Sequence, residues 1–112
     1  MSSVAVGKSA NATGEGSIAI GDSAAVKLDT TKPKENLDGS IAIGRLAIVK
    51  TTRGTAIGSS ALVEGHESSA FGSSAQATEQ LSLAIGSYAK SFVDHGVALG
   101  ASSEVKRSGG VA

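Results

Sequence analysis

A five-residue block returns along this chain at a fixed interval. It reads SVAVG at 3–7, SIAIG at 17–21 and 40–44, GTAIG at 54–58, SSAFG at 68–72, SLAIG at 82–86 and GVALG at 96–100. An eighth block begins at Gly110. The blocks close on Gly7, Gly21, Gly44, Gly58, Gly72, Gly86 and Gly100, with spacings of 14, 23, 14, 14, 14 and 14. A single period of 14 carrying one nine-residue insertion generates the whole series. Self-similarity of this kind marks an array in which each repeat buries its apolar surface against the next.

A second element keeps step with the first. Three residues after each closing glycine comes Ala10, Ala24, Ala47, Ala61, Ala75, Ala89 or Ser103, and two residues later Ala12, Val26, Val49, Val63, Ala77, Ser91 or Val105. The residue between them varies: Asn11, Ala25, Ile48, Leu62, Gln76, Lys90, Glu104. Alternation with period two reads as a strand with one covered face. Each repeat is therefore two short strands separated by turns, the first at the glycine and the second in segments such as TGEG (13–16) and EGHE (64–67). Fourteen residues also equal two heptads, but a glycine in every period and β-branched residues at the apolar positions oppose a helix.

Two strands and two corners in 14 residues make one coil of a parallel β-solenoid, with coils stacked about 4.8 Å apart and eight of them spanning about 38 Å. So narrow a coil has room inside only for small side chains. The sequence meets that demand: aromatics are 3% of it, and Ala, Val and Ile dominate its 40% apolar content. The interior is expected to be filled by Ala5, Ala19, Ala42, Ala56, Ala70, Ala84 and Ala98 from the first strand. Ala10, Ala24, Ala47, Ala61, Ala75 and Ala89 fill it from the second. The large side chains of the first strand then point outward as a stripe: Val4, Val6, Ile18, Ile20, Ile41, Ile43, Ile57, Phe71, Leu83, Ile85, Val97 and Leu99. A monomer rarely exposes so large a patch, so the stripe calls for other chains to cover it. The opposite assignment, with large residues inside and Ala outside, would permit a stable monomer but needs a wider coil.

The blocks SVAVGKSANA (3–12), SIAIGDSAAV (17–26) and SIAIGRLAIV (40–49) resemble the head repeats of trimeric autotransporter adhesins. The likeness runs from Ser3 to Ala112. It implies a YadA-like left-handed parallel β-roll assembled as a homotrimer on the surface of a Gram-negative bacterium. In that family the head stands beyond a coiled-coil stalk and an outer-membrane anchor. The resemblance also implies binding to a host extracellular matrix protein of the collagen or fibronectin type, to host cells, or to like heads. A structural spacer that binds no host molecule is the other reading. No neck motif, stalk heptads or anchor occurs in the sequence, which leads us to expect a piece of a longer protein whose only link to the membrane lies elsewhere. The stripe turns polar at Thr55 and Ser69, where Phe71 appears; three copies of Phe71 about a threefold axis would refill that space.

The insertion, LDTTKPKENLD at 28–38, holds the only proline. Lys32, Pro33, Lys34 and Glu35 resist strand pairing and read as a polar loop that leaves the coil and returns at Gly39. It is either a ligand-contacting loop or a tolerated surface insertion, the second being favoured because solenoids accept loops at small entropic cost. Ile48 and Leu62, outward on adjacent second strands, would form a small exposed apolar patch. Tyr88 and Phe92 flank one second strand. His66 and His95 stand at different offsets from their preceding glycines and read as solvent-facing corner residues without metal-ligand spacing.

Other functions are disfavoured. With no Cys there is neither a disulfide framework nor a thiolate site. Ten Lys and Arg against ten Asp and Glu leave no basic footprint for nucleic acid. No apolar run approaches the roughly 20 residues of a membrane-spanning helix. No nucleophile–base constellation points to an enzyme or a small-molecule substrate, and no cofactor motif stands out.

Overall fold

The computed structural model describes residues 3–27, 38–106 and 111. Seven three-residue strands form one parallel sheet: β1 (Val4–Val6), β3 (Ile18–Ile20), β5 (Ile41–Ile43), β7 (Thr55–Ile57), β9 (Ser69–Phe71), β11 (Leu83–Ile85) and β13 (Val97–Leu99). Seven two-residue strands form the other: β2 (Asn11–Ala12), β4 (Ala25–Val26), β6 (Ile48–Val49), β8 (Leu62–Val63), β10 (Gln76–Ala77), β12 (Lys90–Ser91) and β14 (Glu104–Val105). Each repeat contributes one strand to each sheet, so the chain winds as a β-solenoid of about seven turns with about 14 residues per coil. Val111 bridges to Val97 at the start of a further turn. The longest dimension is 37 Å.

Register follows the block. Ile18 pairs with Val4 on one side and with Ile41 on the other, so the nine extra residues between them cause no slip. Like sits on like: Ala19 on Ala42, Ile20 on Ile43, Ala84 on Ala98. A slip of one residue would turn every Ala outward and every Ile into the narrow interior, which is why the pattern holds the register.

The interior is a file of small residues. Ala19, Ala42, Ala56, Ala70, Ala84 and Ala98 from the first sheet are fully buried, as are Ala24, Ala47, Ala61, Ala75 and Ala89 beside the second. Val26, Val49 and Val63 are among the largest side chains to be fully enclosed. Ala5 and Ala10, expected in this file, depart from it: Ala5 is exposed and Ala10 half-exposed. The strands of their coil, β1 and β2, lie at the sheet edges and pair on one side only, so the inner face there is partly open.

The first corner is a tight turn closed by a hydrogen bond such as Ala61 N–H to Gly58 O at 3.2 Å. The residue two past the glycine is left-handed in every coil: Ser9, Ser23, Leu46, Ser60, Ser74, Tyr88 and Ser102, with φ between 59° and 62°. For a non-glycine residue this costs about 1–2 kcal/mol. The conformation turns its N–H toward the preceding coil, where Ser60 donates to Arg45 O at 2.9 Å and Ser23 to Lys8 O at 2.8 Å. The glycine itself is held at close approach. A Cβ on Gly58 would lie 2.5 Å from Gly72 O, and its φ is +133°.

The second corner is filled by a side chain, and two positions share the task. Ser40, Ser68 and Ser82 are buried at the start of their blocks. Ser40 Oγ donates to Thr51 O at 2.7 Å, and Ser68 Oγ to Glu79 O at 2.6 Å. Where the block starts with glycine, the filling comes from three residues earlier: Thr51 is fully buried ahead of Gly54, and Val93 packs on the core ahead of Gly96. A Cβ on Gly54 would stand 2.7 Å from Val49 Cγ1 and 3.1 Å from Thr51 Cγ2, so both positions cannot be filled at once.

Two outcomes test this packing. Gly58→Ala is expected to lower unfolding free energy by about 2–5 kcal/mol, from backbone strain and overpacking together, read by thermal or denaturant unfolding. Ser91 Oγ is buried without a hydrogen-bond partner among the described residues. Ser91→Ala is therefore expected to raise stability by about 1 kcal/mol, since it removes an unsatisfied hydroxyl at a position where Ala77 fits in the preceding coil.

Candidate functional site

The outer face of the first sheet is the most distinctive surface. From β3 to β13 its strands centre on a fully buried Ala, and the flanking residues, mostly Val, Ile, Leu or Phe, lean outward. Ile18, Ile41, Ile43, Ile57, Phe71, Leu83 and Val97 are half-buried and stack in register with the residues of adjacent coils. Val4, Val6, Ile20, Ile85 and Leu99 are exposed, Val6 to 55% and Leu99 to 51%. Thr55 and Ser69 stack directly in register, and Phe71 stacks between Ile57 and Ile85. The result is an apolar strip over seven coils, interrupted along one edge by Thr55 and Ser69 in two adjacent coils.

The outer face of the second sheet is chemically mixed. Asn11, Ala25, Ile48, Leu62, Gln76, Lys90 and Glu104 stack in one column. Ile48 and Leu62, expected as an exposed patch, are half-buried, because each is shielded by the side chains above and below it. Tyr88 is 57% exposed and left-handed, whereas Phe92 is half-buried.

At the second corner, Asp38, Gly39, Thr52, Arg53 and His66 line an open cleft of about 350 Å³. Gly16 and Gly39 carry no side chain in the column where Arg53 and Glu67 follow, and that gap makes the cleft. Arg53 Nη2 donates to Glu67 Oε1 at 3.0 Å, and His66 Nδ1 lies 3.6 Å from the same oxygen. His66, read from sequence as solvent-facing, is thus half-buried beside a carboxylate. His95 is exposed, with φ of 60°. Lys50 reaches Glu64 at 3.6 Å in the neighbouring coil. These ion pairs were missed, although the 14-residue separation of Lys50 from Glu64 and of Arg53 from Glu67 is the signal that finds them.

Lys32, Pro33, Lys34 and Glu35 lie outside the described residues. Asp38, expected in the loop, belongs to the coil instead. Its carbonyl accepts from Arg53 N at 3.1 Å and its Oδ1 from Glu15 N at 3.0 Å, so the chain rejoins the corner one residue before Gly39. Among the described residues no group of His, Asp or Glu is placed to hold a metal ion, and no helix is long and apolar enough to cross a membrane.

Ion pairs this exposed contribute about 0.2–1 kcal/mol. Arg53→Ala and Glu67→Ala are each expected to leave the unfolding midpoint within that small margin, and the double variant to lose little more than the larger single loss, as checked by thermal unfolding.

The family model for the YadA head domain repeat (2 copies) matches residues 2–24, 38–61, 64–89 and 77–103. No curated protein matches the sequence. The matched segments follow the coils and break at the insertion, and the chain belongs to the YadA-like head domains of trimeric autotransporter adhesins.

Proposed function

We propose that this chain is an adhesive head in which three copies pack their apolar faces together. Each copy winds as a left-handed roll, and the outer faces contact a host matrix protein of the collagen or fibronectin type, or a host cell. The carrying observation is the column of Val6, Ile20, Ile43, Ile57, Phe71, Ile85 and Leu99 that runs unbroken along the first sheet, exposed or half-exposed to water in a single chain. Fully burying such side chains is worth about 1.5–3 kcal/mol each, enough to drive association over seven coils. The family is trimeric in general and belongs to adhesins exposed at the outer membrane, which supports both the stoichiometry and the surface location. Val4, Val6, Ile18, Ile20, Ile41, Ile43, Ile57, Phe71, Leu83, Ile85, Val97 and Leu99 are the proposed interface, with Phe71 filling the space beside Thr55 and Ser69. No chemistry is asked of the site; its work is stiffness and repeated weak contact strengthened by multivalency.

A second reading, a spacer or self-association segment without a host ligand, is favoured by the irregular column on the second sheet. Asn11, Ile48, Gln76, Lys90 and Glu104 present no repeating chemistry for a periodic ligand. Binding of the folded protein to immobilised collagen and fibronectin separates the two, since the spacer binds neither.

Light scattering is expected to give a particle of three times the 11.0 kDa chain mass. Ile57→Lys, which sets a charge in the middle of the strip, is expected to lose that mass. A soluble, folded single chain for the parent overturns the proposal. Deleting residues 29–37, which restores the 14-residue spacing from Gly21 to Gly44, is expected to leave the mass and the matrix binding unchanged. Loss of binding alone would make the loop of Lys32, Pro33, Lys34 and Glu35 the ligand contact.

A further inference from the structure

We propose that Asn11 is an acceptor for N-linked glycosylation, a covalent modification site on the outer face of the second sheet. Asn11-Ala12-Thr13 is an Asn-x-Thr triplet whose middle residue is not proline, the pattern that N-glycosyl transfer requires. A triplet alone is a weak signal in a chain rich in Ser and Thr, and the geometry supplies the rest. Asn11 is exposed and lies on β2, an edge strand of its sheet. The two backbone amides of the triplet that flank Ala12 donate to the neighbouring coil, Asn11 N to Ala24 O at 2.9 Å and Thr13 N to Val26 O at 3.1 Å. The triplet is therefore held extended, with its polar side chains outward.

The Thr13 hydroxyl donates to Asn11 Oδ1 at 2.9 Å. That bond fixes the amide and occupies its oxygen, while the amide nitrogen has no protein partner among the described residues and stands free toward solvent. The nitrogen is the atom that forms the new bond, so it has to be open to the donor sugar, and the exposure of Asn11 on an edge strand meets that need. In the transfer, Nδ2 attacks the anomeric carbon of an activated sugar. The nitrogen–carbon bond forms and the carbon–oxygen bond to phosphate breaks. The phosphate leaves with the electron pair, and one amide proton passes to a base of the transferase. The donor is a sugar carrying a phosphate leaving group, either nucleotide-linked or lipid-pyrophosphate-linked.

The chain holds its own control. Gln76-Ala77-Thr78 repeats the triplet in the same column of the same sheet, with Gln in place of Asn. It offers an amide at an equivalent place, yet lies outside the acceptor rule. It also shows that the column accommodates Gln, so Asn11→Gln is a change the fold tolerates.

The test uses the folded chain in two arms. One supplies a soluble asparagine-specific glycosyltransferase with UDP-glucose, the other a membrane oligosaccharyltransferase with a lipid-pyrophosphate-linked oligosaccharide. Intact mass and fragment spectra are expected to place one glycan on Asn11 in at least one arm and none on Gln76, the productive arm naming the donor. Asn11→Gln and Thr13→Ala are expected to abolish the adduct while keeping the parent's unfolding midpoint. No transfer to the folded chain in either arm, with a synthetic peptide of residues 8–16 modified in parallel, overturns the proposal. So does an unmodified Asn11 in the protein recovered from the cells that produce it.

Discussion

The close approach of one coil to the next at the glycine corner governs this molecule. At Gly58 a methyl group would meet the Gly72 carbonyl at 2.5 Å, and at Gly44 it would meet the Gly58 carbonyl at 2.6 Å. Removing the side chain there lets the backbones stack at strand spacing around the bend as well as along the sheets. The left-handed residue that follows completes the bend, and its N–H joins the stack, as Ser74 does with Ser59 O at 2.8 Å. With both corners hydrogen-bonded from coil to coil, the small interior can be continuous.

From that tightness comes the division of side chains. A coil closed by so short a corner encloses Ala and a few Val, and cannot enclose Ile on both of its strands. The branched residues of the first sheet are displaced outward, where stacking in register shelters them by about half and leaves the remainder facing water. Between its edge coils the chain thus pairs its backbone from coil to coil, while its apolar surface stays partly open. A head built this way gains rigidity from within the roll and leaves its branched apolar side chains on one face.

Much of this was legible because the repeat is so regular. The Gly spacings and the Ala at block centres gave the coil, its two strands and which side of each strand faces inward. Ala5 and Ala10 departed because periodicity does not reveal that the edge coil is paired on one side only. The corner serines were seen as part of the block without their role: whether Ser40 hydrogen-bonds to Thr51 O is a matter of three dimensions, although the exchange of Thr51 for Ser at Gly54 leaves a trace in one dimension. Asp38 reads as loop from sequence because it closes the charged, Pro33-containing segment 28–38. Its return to the corner is fixed by the Arg53 N–H and the Glu15 N–H, which no local pattern announces. His66 beside Glu67 was likewise a consequence of the turn rather than of spacing.

The shared filling of the second corner bears on how such a rod can lengthen or shorten through recombination of its gene. Thr51 and Gly54, like Val93 and Gly96, form a matched set within a four-residue window. A crossover inside that window would join Thr to Ser and crowd the bend, or Gly to Gly and leave it hollow. One falling within a strand would carry each set intact. Copies of this unit are therefore exchangeable without penalty only along certain seams, and the seam lies away from the corner.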